Sequence, residues 1–286
     1  MKRLRLDQYV HQRGLTASRE QARRLIMAGE VLVDGQVVDR PATPVAEGAQ
    51  LALRARPRYA SRGGEKLAAA LERFGVDVRG RVCADVGAST GGFTDALLQH
   101  GAARVYAVDV GHGILDYTLR NDPRVVVMER TNARYLESLP QAVDVVTLDA
   151  SFISLRLLLP VAAGWLRGGA AEGGAARGAP GARGDLIALI KPQFEAGRGK
   201  VGKGGIVKDP AVHRQVLEDL LGWAQAEGLT PAGLMRSPLR GAAGNVEFLA
   251  WLRPGTPPAL DLAAAIGAAL ALDEGARASE EGPLDH

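Results

Sequence analysis

The stretch Val82-Cys83-Ala84-Asp85-Val86-Gly87-Ala88-Ser89-Thr90-Gly91-Gly92-Phe93-Thr94 decides the fold. An apolar run ends in an acid, a glycine-rich turn follows, and helix-forming residues come next, read as a helix over 94–98. A doubly wound α/β sheet binds nucleotide-like ligands at such a strand-turn-helix junction. The turn departs from G-x-G-x-x-G, because the hydroxyls of Ser89 and Thr90 stand where small residues are usual and no glycine lies two after Gly87. Asp109 ends the next apolar run, 22 residues after Gly87, near the spacing at which an acid captures ribose hydroxyls. These features fit either a dinucleotide or S-adenosylmethionine.

On both sides of this stretch apolar, β-branched runs alternate with helical segments. The runs are 82–86, 104–108, 125–128, 143–148 and 186–190, and this alternation predicts a mostly parallel sheet with helices on both faces. A last run, 245–252, follows 233–235 and would pair antiparallel to close the sheet. Upstream, Ser61-Arg62-Gly63-Gly64-Glu65-Lys66 opens a helix with Leu67, Ala70, Leu71 and Phe74 on one face, and the charged, Pro-bearing connector before it sets a domain boundary near residue 58. Residues 168–184 are almost all Gly, Ala, Arg and Pro and read as a disordered insertion; 256–286 read as a terminal helix and an acidic tail.

The first 58 residues have a pattern of their own. Ser18 and Gln21 suit a helix N-cap and capping box, Ala22, Leu25 and Ile26 form an apolar stripe, and Gly29 ends the helix in a left-handed cap. Val31 to Val38 then place two β runs around Asp34-Gly35, a hairpin signal. Arg19, Arg23 and Arg24 recur along the helix, where guanidinium groups can meet phosphates or simply be solvated. Residues 1–66 carry 13 Lys and Arg against 7 Asp and Glu, whereas 256–286 carry 1 against 6, so the overall formal charge of +3 hides a basic N-terminal quarter. Such asymmetry points to a polyanionic partner or to a solvated basic face.

Composition excludes several classes. One cysteine, Cys83, forms no disulfide framework and reads as an inert core thiol, and the histidines at 11, 100, 112, 213 and 286 have no ligand spacing, so no metal is expected. The N-terminus has no secretory apolar run and no stretch is long enough to span a membrane, which together predict a cytoplasmic protein with no membrane partner. Gly197 to Gly204 imitates a P-loop, but Gly204 replaces the hydroxyl that would hold magnesium, so kinase and ATPase readings fail.

Acids and lysines fall at strand ends, where such sheets bind ligands: Asp149 after the fourth run, Lys191 after the fifth, Glu247 in the last, and Lys66 at the start of the first helix. They constitute either a reactive cluster or a structural ion-pair network. Phe152 reads as a wall of a base pocket or as core.

Two resemblances follow. The segment from Ser18 to Gly35 resembles the ribosomal S-four-like RNA-binding module, which implies RNA contacts from Arg3, Arg5, Arg19, Arg23 and Arg24. The larger domain resembles the FtsJ-type RNA 2′-O-methyltransferases, whose Lys-Asp-Lys-Glu tetrad would fall on Lys66, Asp149, Lys191 and Glu247. The whole chain is similar to the TlyA-like family, known both as haemolysins and as rRNA cytidine 2′-O-methyltransferases. This resemblance implies a Rossmann-like methyltransferase sheet and S-adenosylmethionine as cofactor. Asp85, Gly87, Ala88, Ser89, Thr90, Gly91, Gly92 and Phe93 would cradle its amino-acid end, Asp109 its ribose, and Asn132 and Asp149 the adenine and methionyl ends. The implied partner is ribosomal RNA in a small or large subunit, with Arg62, Arg198, Lys200 and Lys203 meeting it beside the site. Abstraction of a 2′-hydroxyl proton needs a base tuned toward neutrality, and a partly desolvated lysine beside a second cation is one way to obtain it. On that expectation Lys191 acts on the hydroxyl, Asp149 and Glu247 hold its ammonium, and Lys66 steadies the oxygen and the neighbouring phosphate. A silent RNA-binding protein or a membrane-active protein is the competing reading. Neither the Gly/Ala insertion nor the tail belongs to the family pattern, and neither touches these motifs.

Overall fold

The structure, a computed structural model, describes residues 3–54, 57–167, 184–197, 199–241, 243–255 and 260–271. The chain divides into two compact units, Met1–Arg58 and Tyr59–His286.

The first unit contains β1 (Arg3–Arg5), α1 (Leu6–Gln12), α2 (Arg19–Met27), β2 (Val31–Val33), β3 (Gln36–Val37), β4 (Pro44–Ala46) and β5 (Leu51–Leu53). Helix α2 starts where the sequence says it should: Ser18 Oγ accepts from Gln21 N at 3.1 Å. The returning bond of Gln21 goes to Ala17 N, one residue before the cap, at 3.0 Å. Gly29 closes the helix at φ +68, and Asp34 and Gly35 both take positive φ in the tight turn between β2 and β3. Strands β1 with β4 and β2 with β5 add pairings that three-residue runs do not announce in sequence. Leu6, Tyr9 and Val10 of α1 pack with Ala22, Ile26, Val31 and Val45 into a small core.

The second unit is built on a seven-stranded sheet. Its elements are α3 (Gly63–Phe74), β6 (Val82–Val86), α4 (Gly92–Gln99), β7 (Arg104–Val108), α5 (Tyr117–Arg120), β8 (Val125–Met128), β9 (Val145–Leu148), α6 (Leu155–Gly164), β10 (Asp185–Ile190), α7 (Pro192–Glu195), α8 (Pro210–Ala226), β11 (Leu229–Arg236), β12 (Phe248–Pro254) and α9 (Leu262–Ala271). Strand order is β11-β12-β10-β9-β6-β7-β8, parallel except for β12, which is antiparallel to both neighbours. Alternate residues of each strand feed opposite faces. Ala84, Val86, Tyr106, Val146 and Leu148 meet α6, α8 and α9 on one side. Cys83, Val105, Val145 and Ile187 meet Leu67 and Leu71 of α3 and Leu97 of α4 on the other. Burial on both faces is why these strands read as unbroken apolar runs, and each fully buried leucine contributes about 1.5–3 kcal/mol.

Several boundaries differ from expectation. Helix α4 begins at Gly92, not at residue 94, because the chain turns helical as soon as it clears Gly91. Strand β9 begins at Val145; Val143 makes only an isolated bridge to Leu166. Glu247 stands one residue ahead of β12 instead of inside it, which frees its side chain from the pleat. Edge strand β11 shifts register between Pro231 and Gly233, where proline offers no N–H to the ladder. The insertion, apart from Gly184, and the tail beyond residue 271 lie outside the described residues. Among the described residues no helix is long and apolar enough to cross a membrane.

Candidate active site

The carboxyl ends of β6, β9 and β10 meet at one cavity of about 720 Å³, and Lys66, Asp149, Lys191 and Glu247 all line it. The glycine-rich turn forms a wall, with Gly87, Ala88, Ser89, Thr90, Gly92 and Phe93 exposed to the cavity. A second cavity of about 400 Å³ adjoins it, sharing Gly87, Ser89, Asp149 and Phe152 and adding Asp109 and Asn132.

Close approach of backbones makes this junction. Gly87 has φ +82, and a Cβ there would stand 2.6 Å from the carbonyl oxygen of Asp149, so only glycine lets the ends of β6 and β9 come together. At Gly92 a Cβ would overlap Ser61 Oγ and lie 2.9 Å from Gly64 N, which fixes the start of α4 against the start of α3. Asp109 points into the turn, where its carboxylate accepts from Ser89 N at 2.8 Å and from Gly111 N at 2.6 Å. Asn132 uses its side-chain oxygen to cap the turn at Arg134 N, at 3.0 Å.

Two expected cofactor residues face elsewhere. Asp85 has no exposed surface and lines neither cavity; Thr94 Oγ1 and Thr147 Oγ1 donate to its carboxyl at 2.7 and 3.2 Å. Burial pushes that carboxyl up to about 7, with the hydroxyl of Thr94 pulling it down and the charge of Asp149 adding to the rise. Asp85 therefore stands behind the turn, bonded to Thr94 and Thr147. Gly91, at φ +95, is also off the cavity, because a Cβ there would strike Leu115 and Leu119. Its role is packing beneath the turn.

The charged groups form two pairs. Lys191 Nζ lies 2.7 Å from Asp149 Oδ1, an ion pair out of line for a hydrogen bond, and donates to Ser151 Oγ at 2.8 Å. Lys66 Nζ donates to Glu247 Oε2, and both side chains are buried. Glu247 thus serves Lys66, not Lys191 as expected: Gly241 lies directly against the Glu247 carboxylate, and this fit aims it at α3. Buried charges persist when paired, and here each cation has its own anion.

Sequence reasoning missed four contributors. Ser151 holds Lys191, and its signal was only its place two residues after Asp149. Glu195 accepts from Ser154 Oγ at 2.7 Å and Leu155 N at 2.8 Å, tying the segment after Lys191 to the segment after Asp149. Burial raises its carboxyl, with the Leu155 amide and Ser154 hydroxyl opposing. Asn245, almost fully buried, accepts from Val207 N and donates to Gly205 O, both at 2.9 Å, and so pins the glycine-rich loop whose Val201, Gly204 and Gly205 line the larger cavity. Phe194 lies below Lys191, its ring centroid 5.9 Å from Nζ. Phe152 has φ +65 and is 90% exposed, 5.1 Å from the Phe194 ring. Such exposure excludes a core role, and a left-handed backbone at a non-glycine residue costs roughly 1–2 kcal/mol.

Of the basic residues, Arg62 is exposed at the larger cavity and donates to Arg240 O at 3.3 Å. Lys200 and Lys203 are exposed on the glycine-rich loop, and Arg198 lies outside the described residues. In the first unit Arg3, Arg23 and Arg24 are exposed, while Arg5 and Arg19 both engage Asp7.

Comparison with known proteins finds a family match in each unit. The model of the FtsJ-like methyltransferase family matches residues 59–254, and that of the S4 domain matches residues 4–51. The chain is 47% identical over 263 residues to the 16S/23S rRNA (cytidine-2′-O)-methyltransferase TlyA of Mycobacterium tuberculosis, covering 91% of this chain and 93% of that protein. It is 40% identical to Hemolysin A of Brachyspira hyodysenteriae, covering 86% and 98%. The solved structure of a hemolysin candidate from Streptococcus thermophilus superposes with a TM-score of 0.71 at 40% identity, covering 98% of this chain and 100% of that one. With an S4 domain ahead of a sheet that gathers two lysine–carboxylate pairs at its glycine-rich turn, the chain belongs to the FtsJ-like methyltransferase family.

Proposed function

We propose that this protein transfers a methyl group from S-adenosylmethionine to the ribose 2′-oxygen of a nucleotide, a cytidine, in the ribosomal RNA of a ribosomal subunit. The observation that carries the reading is the pair of ion pairs, Lys191–Asp149 and Lys66–Glu247, lining one cavity with the glycine-rich turn. The cradle fits the cofactor: Gly87, at φ +82, keeps the turn clear of a Cβ, Gly87 to Thr90 line the larger cavity for its methionyl end, and Asp109 and Asn132 line the adjoining cavity for its ribose and adenine. When bound, S-adenosylmethionine supplies an electrophilic methyl on a cationic sulfur.

The residues around it do the rest. Asp149 and Ser151 hold the Lys191 head at the cavity, and in its neutral form the lone pair of Nζ accepts the hydroxyl proton as the oxygen attacks. Glu247 holds the Lys66 ammonium in place beside that oxygen and its neighbouring phosphate. The exposed Phe152 ring offers a stacking face for a base turned out of its helix. Arg62, Lys200 and Lys203 meet phosphates around the cavity, and the S4 module binds RNA shape. A ribosomal substrate would place the protein in the cytoplasm.

Transfer of labelled methyl from S-adenosylmethionine to purified ribosomal subunits and to free rRNA tests the reading, with Lys191→Ala beside wild type. Label recovered in alkali-resistant dinucleotides and lost in the variant, with cofactor binding by calorimetry unchanged, supports it. Label on a base, or a fully active Lys191→Ala, refutes it.

A further inference from the structure

The basic first unit buries one carboxylate completely. Asp7, in the first turn of α1, has no exposed surface. Arg5, from β1, donates through Nε to Oδ1 and through Nη2 to Oδ2, both at 3.1 Å. Arg19, at the start of α2, brings Nε to Oδ2 at 3.0 Å and Nη2 at 2.9 Å. Gln8 N completes the set at 2.9 Å to Oδ1. Burial pushes the Asp7 carboxyl up, but Arg5 and Arg19 together hold it below the ordinary range.

Both guanidiniums meet Asp7 through the same inner edge, Nε with Nη2. A guanidinium has five N–H donors in a planar fork, so this leaves the outer edge, Nη1 with the second Nη2 hydrogen, for another acceptor. Both arginine side chains are 47% exposed. Arg19 also begins the row Arg19, Arg23 and Arg24, which with Glu20 and Met27 lines a groove along α2. A free arginine side chain loses much of its rotamer entropy on binding, whereas one held in advance has already lost it.

We propose that Asp7 is a positioning residue for RNA recognition: it holds Arg5 and Arg19 by their inner edges so that their outer edges present paired donors to backbone phosphates. The inference rests on the reading that this module binds RNA. It also predicts a sign. Removing a carboxylate makes the unit more positive, and a surface that draws RNA by net charge alone would then bind more tightly. A surface that needs two oriented guanidiniums binds more weakly.

The experiment measures binding of the full-length protein to a fluorescein-labelled RNA hairpin over a salt series, for wild type, Asp7→Asn, Arg19→Gln, the double variant, Arg19→Lys and Arg23→Gln. Asp7→Asn should weaken binding about tenfold, and the slope of log K against log salt should fall by about 0.7 to 0.9 for each phosphate that an arginine no longer neutralises, in loop or stem. The double variant should lose less than the product of the two single losses, because part of the effect of Asp7 passes through Arg19 and the rest through Arg5. Arg19→Lys, which leaves Asp7 in place and the charge unchanged, should also lose affinity, and this keeps the test intact if Asp7→Asn fails to fold by circular dichroism. Equal or tighter binding by folded Asp7→Asn, multiplying losses in the double variant, or wild-type affinity in Arg19→Lys overturns the proposal. A wild type that binds no RNA, with Arg23→Gln without effect, overturns instead the reading beneath it.

Discussion

Asp85→Asn should make the second unit more stable in mild alkali while leaving it nearly unchanged near pH 4. Asp85 is fully buried, and its carboxyl is pushed up to about 7 from an ordinary 3.8, first by burial and then by the charge of Asp149, against the hydrogen bonds of Thr94 and Thr147. Between those two values the native state keeps a proton that the unfolded chain releases. The unfolded state then binds fewer protons, so stability falls as pH rises through the window and levels off above about 7. A shift of about three units at 1.36 kcal/mol each gives about 4 kcal/mol as the full loss. Asparagine has the same shape without the charge: its oxygen can accept from Thr147 and its amide can donate to Thr94 Oγ1. The variant should therefore match wild type within about 1 kcal/mol near pH 4, exceed it by about 1.7 kcal/mol near pH 5 and by up to about 4 kcal/mol near pH 8. Urea unfolding followed by tryptophan fluorescence reports the correct unit, since Trp165, Trp223 and Trp251 all lie in it. Subtracting the variant's curve from that of wild type removes every other titration. A difference that stays constant between the lowest and the highest pH, or a variant less stable at both, would refute the argument.

Glu247→Gln should lower stability by about 3–5 kcal/mol in the same assay, because it leaves the buried Lys66 ammonium without its anion. Replacing both partners, as Lys66→Met with Glu247→Leu, should recover most of that loss yet leave methyl transfer abolished; recovered activity would remove the pair from the reaction. Gly64→Ala should destabilise by about 1–3 kcal/mol although alanine favours helices, since the new Cβ would overlap the Tyr59 ring against which α3 begins. Thermal unfolding at or above the wild-type midpoint would show that this contact yields without cost.

The central strands β6, β7, β9 and β10 could be read one by one because each is buried on both faces and therefore appears as a continuous apolar run with helices between. The Asp34-Gly35 turn, the Ser18 cap and the glycine-rich turn after β6 were legible for a related reason: each requires a backbone conformation or a cap that few residue types supply. Three-residue strands such as β1, β4 and β5 lack the length to show a period, so the small sheets of the first unit emerged only on folding.

The site divides along the same line. Lys66, Asp149, Lys191 and Glu247 could be picked out because charged side chains at strand and helix ends stand out against apolar runs, and the strand ends lie on one edge of a parallel sheet. Which cation meets which anion was not legible. Glu247 went to Lys66, and Ser151 joined Asp149 on Lys191, because these partners are chosen by side-chain reach across a cavity. Asp85 looked like a ligand contact and proved to be buried behind the turn, and Arg5 and Arg19 looked like two independent phosphate contacts and proved to share Asp7. Local patterning by itself determined the two modules, their order, the sheet and the set of charged residues at its ligand-binding edge, since backbone propensity and hydrophobic period act over a few residues. The pairing of those charges, and the burial that raises one carboxyl while two arginines lower another, were decided only by the tertiary structure, because they depend on distances between groups far apart in the chain and on the water excluded between them.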